Sequence, residues 1–89
     1  MIEKQLEICN KLGLHARAAA KLTKTASQFS SEVIVSAKGK DVNAKSIMGL
    51  LMLAASKGTP ITIRTDGNDE NQALAAISQL INNRFDEDE

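Results

Sequence analysis

Aromatic residues are scarce in this chain, which has two Phe, no Trp and no Tyr among 89 residues. The core therefore has to be built from Ala, Leu, Ile, Val and Met, and there is no set of rings on which nucleobases would stack. Net charge is missing too. Eleven basic and eleven acidic residues cancel, so the positive excess that offsets phosphate charge is absent and no nucleic-acid partner is expected. Cys9 is the single cysteine. It excludes an intrachain disulfide and a cysteine-based metal cage, suits a reducing compartment, and reads as a small core residue. No apolar stretch approaches the roughly 20 residues of a membrane span. Met1-Ile2-Glu3-Lys4-Gln5 carries charge where a leader would be apolar. A cytoplasmic protein without membrane insertion is expected, folded as a single domain over 1–89 around one modest core.

What is present is periodicity. Ile2, Lys4, Leu6 and Ile8 alternate with Glu3, Gln5 and Glu7, which predicts a strand with one largely apolar face. Asn10-Lys11-Leu12-Gly13 breaks the alternation. From His15 to about Gln28, Ala19, Leu22, Ala26 and Phe29 recur near helical spacing. The β-branched run Val33-Ile34-Val35, a Lys38-Gly39 turn and a short return from Lys40 to Asn43 predict a hairpin. Ser46 is a candidate N-cap for a second helix over Ile47 to Ser56, closed by Lys57-Gly58. Pro60 to Thr65 alternates as a fourth strand ending at Asp66-Gly67. Asn68 or Asp69 can cap a last helix, whose stripe is Ala73, Leu74, Ile77, Leu80 and Ile81. Asp86-Glu87-Asp88-Glu89 reads as a solvated, frayed end. The fold class is thus α+β, in the order β-α-β-β-α-β-α, with helices on one face of an antiparallel sheet.

The chain's one histidine, His15, stands between the Gly13 turn and the start of the first helix. Helix starts leave N–H groups unpaired and carry partial positive charge, so the N–H groups of Ala16 and Arg17 are candidate phosphate binders. The same positive end disfavours the imidazolium form and leaves a ring-nitrogen lone pair free to attack phosphorus. Arg17 adds a guanidinium able to fork onto phosphoryl oxygens. A histidine here also has a purely structural use, as a helix cap or surface residue. One His without usable Cys leaves too few ligands for zinc, and neither metal nor cofactor is expected. In the second helix, Ile47, Met48, Leu50, Leu51, Met52 and Leu53 are apolar nearly all round. A short helix on a sheet buries only one face. Ile47, Met48 and Leu51 or Met52 are therefore left as an exposed docking surface or lie under neighbouring loops.

Gly13-Leu14-His15-Ala16-Arg17 and Lys45-Ser46-Ile47-Met48-Gly49 together make the chain resemble HPr, the histidine-containing phosphocarrier family of the bacterial phosphotransferase system. The resemblance extends over essentially the whole chain. It implies an open-faced sandwich with a four-stranded antiparallel sheet of order 1-4-2-3 under three helices. It also implies that His15 is phosphorylated on Nδ1 by enzyme I, which draws on phosphoenolpyruvate, and passes the group to enzyme IIA with Arg17 as phosphate partner. Ser46 matches the residue modified by HPr kinase/phosphorylase, Ile47 and Met48 beside it fit the patch on which that kinase and enzyme I dock, Lys24 adds a basic contact to acidic partner surfaces, and a monomer is expected. Many HPr sequences have Pro after the motif's Arg, where this chain has Ala18. That departure leaves open the nitrogen-branch carrier NPr. A mainly regulatory protein-binding module and a ferredoxin-like domain with an incidental His15 are the other readings.

Overall fold

The structure is a computed structural model and describes residues 1–87. Its elements are β1 (Ile2–Glu7), α1 (Ala16–Ala26), β2 (Glu32–Ala37), β3 (Lys40–Asn43), α2 (Ile47–Met52), β4 (Pro60–Asp66) and α3 (Glu70–Asn82), followed by a last turn over Arg84–Asp86. The strands form one antiparallel sheet in the order β1-β4-β2-β3. That is the expected α+β open-faced sandwich, and the order excludes the ferredoxin-like alternative.

Register follows the period-2 pattern. Val35 stands opposite both Ile63 and Val42, and Leu6 opposite Ile61. Val33, Val35, Ile61 and Ile63 are buried beneath the helices, whereas Ile34, Ser36, Thr62 and Arg64, one residue out of phase, line the open face. From α1 the core receives Ala18, Ala19, Leu22 and Ala26, and from α3 Ala73, Ile77 and Ile81. Small alanines on α1 let it lie close to its neighbours, which compensates for the missing aromatic volume.

Four expectations need correction. Helix α1 stops at Ala26, and Gln28 and Phe29 continue as a tighter turn with N–H groups donating to Thr25 and Ala26 carbonyls. Helix α2 stops at Met52 and does not reach Ser56. Ala54 takes a left-handed φ of 51°, which releases the Ala55 carbonyl to accept from Leu14 N–H at 2.8 Å. Gly58 then serves the entry to β4, its N–H donating to Ile8 O at 2.7 Å. Asp69 is the N-cap residue of α3 but makes no side-chain cap bond, because its carboxylate accepts from the N–H groups of Ser30 and Ser31 and from the Ser31 hydroxyl. Finally, the acidic end is not simply solvated. Phe85 is fully buried and Glu87 reaches His15, while Asp88 and Glu89 lie outside the described residues.

Candidate functional site

The turn before α1 aims His15. Gly13, at a φ of 68°, packs backbone to backbone on Ala55 and Ser56, as only a residue without a Cβ can. The buried side chain of Leu14 and its N–H bond to Ala55 anchor the next residue. His15 N–H then donates to Gly13 O at 3.0 Å, and His15 O accepts the first helical bond, from Ala19 at 2.8 Å. His15 is thus the N-cap residue in an extended conformation, yet its side chain makes no capping bond. The imidazole is therefore not spent as a helix cap.

Ala16 and Arg17 are exposed at the first two helical positions, where an α-helix offers their N–H groups no carbonyl partner and its dipole favours an anion. Ala18 follows, fully buried. Because helical bonding begins with Ala19, Ala18 keeps no helical bond that a proline would forfeit. The departure from the HPr pattern leaves the local geometry intact.

The imidazole side chain is 26% exposed, and its Nε2 meets Glu87 Oε2 at 2.5 Å. Asn10, fully buried, donates from Nδ2 to Glu87 Oε1 at 3.0 Å and to Gly13 O at 2.8 Å. Burial pushes the Glu87 carboxyl up. The hydrogen bonds from Asn10 and His15, and the charges of His15 and Arg17, outweigh it and hold the carboxyl below its ordinary value. Glu87 is therefore the acceptor and Nε2–H the donor, and Nδ1 has no protein partner among the described residues. The sequence reading missed Glu87 and Asn10. The available signal was Phe85, one of only two aromatics, whose burial drags the acidic end inward.

On α2, the Ser46 hydroxyl accepts from Gly49 N–H at 3.1 Å, as an N-cap should. Ile47, Met48 and Met52 are 41%, 69% and 69% exposed. Of the pair Leu51 and Met52, it is Met52 that faces outward, because Leu51 packs against the core. Lys24 is exposed in the last turn of α1, and α1 lies against α2. Leu12, 67% exposed in the turn before His15, is an apolar surface residue that the pattern of the sequence did not single out. Among the described residues no helix is long and apolar enough to cross a membrane.

The family described as "PTS HPr component phosphorylation site" matches residues 2–83. The chain belongs to the HPr family. Phosphocarrier protein HPr of Xylella fastidiosa is 58% identical over 88 residues, which cover 99% of each chain. The crystal structure of HPr-C-His from Thermoanaerobacter tengcongensis superposes with a TM-score of 0.96 at 46% identity, covering all of both chains. The four-stranded sheet of order 1-4-2-3 with three helices is thus the HPr fold. Phosphocarrier protein NPr of Shewanella violacea is also similar, 48% identical over 86 residues covering 97% of this chain and 94% of that one. Against the expectation of a monomer, a second Thermoanaerobacter tengcongensis structure is described as an HPr dimer. It is 47% identical with a TM-score of 0.79, covering 98% of this chain and 100% of that one.

Proposed function

We propose that this chain is a cytoplasmic phosphocarrier of the phosphoenolpyruvate-dependent phosphotransferase system. His15 accepts a phosphoryl group from enzyme I and passes it to enzyme IIA. The reading is carried by the imidazole at the start of α1, which makes no capping bond and holds Nε2 against Glu87, leaving Nδ1 without a protein partner among the described residues. The Nδ1 lone pair is the nucleophile. The N–H groups of Ala16 and Arg17 and the Arg17 guanidinium receive the phosphoryl oxygens and offset their charge during transfer. Such a relay needs no cofactor, since the reaction is an exchange of one phosphoryl bond for another.

Partners dock over the neighbouring helices, with Ile47, Met48 and Met52 as apolar contacts, Leu51 supporting them from beneath, and Lys24 as a positive rim. Incubation with enzyme I and phosphoenolpyruvate adds about 80 Da, one phosphoryl group, in an acid-labile and base-stable linkage. His15→Ala stays unmodified. Modification of that variant overturns the assignment.

A regulatory role for Ser46 is a second reading, favoured by its hydroxyl lying beside the exposed Ile47 and Met48. Phosphorylation by HPr kinase/phosphorylase suits the helix start electrostatically while placing negative charge beside the docking surface. If Ser46→Asp binds enzyme I as tightly as Ser46→Ala, that reading fails. Service in the sugar or the nitrogen branch is separated by offering enzyme I and the nitrogen-branch phosphoryl donor in competition and measuring which one phosphorylates His15 faster.

A further inference from the structure

The segment after α3 is built to deliver one carboxylate to His15. Arg84, Phe85 and Asp86 all take left-handed φ values, of 58°, 54° and 63°, a conformation that L-residues adopt only when their surroundings impose it. What imposes it here is visible on both sides of the chain. The Phe85 ring is fully buried in the core, its carbonyl accepts from Lys21 Nζ at 2.7 Å, and the N–H groups of Asp86 and Glu87 donate to Asn83 and Arg84 carbonyls, each at 3.0 Å. The turn reverses the chain, and Glu87 leaves it in an extended conformation. Its two carboxylate oxygens are then used separately, Oε1 by Asn10 and Oε2 by His15. Asn10 also holds Gly13 O, so one buried amide ties the carboxylate to the turn that aims the imidazole. The Glu87 side chain is 13% exposed, which keeps solvent screening of the contact low.

We propose that Glu87 is a positioning residue for phosphoryl transfer, fixing the Nε2–H tautomer of His15 and offsetting the positive charge that the ring carries while phosphorylated. This rests on His15 being the phosphoacceptor. On acceptance, the Nδ1 lone pair forms the N–P bond while the bond from phosphorus to the donor atom breaks and its electron pair leaves with the donor. No proton leaves His15. Because Nε2 keeps its hydrogen, the phosphorylated ring is cationic, and the carboxylate at Nε2 stabilises it in that form. On donation the N–P bond breaks, its electron pair returns to Nδ1, and the ring is neutral again with the same proton on Nε2. A ring that lost the Nε2 proton would hold phosphorus more firmly and be the poorer donor. The arrangement uses the same physics by which a carboxylate orients and stabilises a catalytic imidazole elsewhere, with the difference that here the imidazole nitrogen itself is the nucleophile.

The test uses the full chain with ¹⁵N-labelled histidine. In the unphosphorylated protein, nitrogen–proton correlation is expected to place the proton on Nε2 and to detect it as a slowly exchanging signal. In Glu87→Ala that signal is lost to exchange, and transfer both from enzyme I and onward to enzyme IIA slows about tenfold or more. Glu87→Gln, which retains an acceptor oxygen without the charge, keeps the Nε2–H signal but transfers slowly. Asp86→Asn, an equal loss of tail charge at an exposed neighbour, transfers at the wild-type rate. Transfer by Glu87→Ala at the wild-type rate or faster, or a proton found on Nδ1 in the unmodified protein, overturns the proposal. If the wild-type chain takes no phosphoryl group at all, the phosphocarrier reading is what fails, and the Nε2 signal still reports whether Glu87 holds the ring.

Discussion

Gly13 and Ala55 meet so closely that a Cβ on Gly13 would stand 2.5 Å from the Ala55 carbonyl oxygen. That same oxygen accepts the Leu14 N–H, so one carbonyl sets both the approach of the turn and the position of the residue before His15. Gly13→Ala meets the clash and a left-handed φ together. It is expected to lose roughly 2–3 kcal/mol of stability and to slow His15 phosphorylation, measured by urea unfolding and by phosphotransfer with enzyme I.

Ser46 caps α2 through its hydroxyl. Ser46→Ala should cost about 1 kcal/mol, and Ser46→Asp, which keeps a cap acceptor, appreciably less. Urea midpoints at neutral pH measure both, and equal losses would show that the cap bond contributes nothing.

Phe85 is the largest fully buried side chain. Phe85→Ala is expected to cost about 3–4 kcal/mol and to free Glu87 from His15. Slower phosphotransfer at temperatures where the variant is still folded by circular dichroism distinguishes the second effect from the first.

Asp69 is held down to about 2 from an ordinary value of 3.8, first by the Ser31 hydroxyl and then by the Ser30 N–H, with burial opposing. A carboxyl with a depressed folded value stabilises above its unfolded value and loses that contribution as pH falls through the folded one. The stability gap between wild type and Asp69→Ala should therefore be full above about pH 4 and shrink progressively toward pH 2. Urea midpoints across that range check it, and a gap independent of pH contradicts it.

Met48 is 69% exposed, so Met48→Asp should change stability by no more than about 0.5 kcal/mol. If α2 docks partners, the same variant binds enzyme I at least tenfold more weakly, as expected for an apolar anchor at an interface centre. Titration calorimetry reads the affinity, and unchanged binding removes Met48 from the docking surface.

Much of this molecule was legible in advance because its signals are local. Alternation in Val33 to Val35 and Pro60 to Thr65 reports a half-buried strand, and the spacing of Ala73, Ile77 and Ile81 reports a helix face, whatever the rest of the chain does. His15 at a helix start followed by Arg17 was legible for the same reason. The length of α2 was not, since residues 53–55 are good helix formers, and they leave the helix where Ala54 turns left-handed and the Ala55 carbonyl accepts from Leu14, a partner far away in sequence. Asp69 was misread in the same way, a local capping preference having lost to three donors from the loop before β2.

The sequence by itself determined the order of elements and the placing of the proposed nucleophile, His15, at a helix start two residues before Arg17, because each depends on residues a few positions apart. Tertiary structure alone decided what faces the imidazole. Glu87 is 72 residues from His15, and it arrives there because burying Phe85 in a core short of large side chains turns the end of the chain back over the start of α1. No local pattern encodes that contact, since its energy comes from packing between segments that are neighbours only in the folded state.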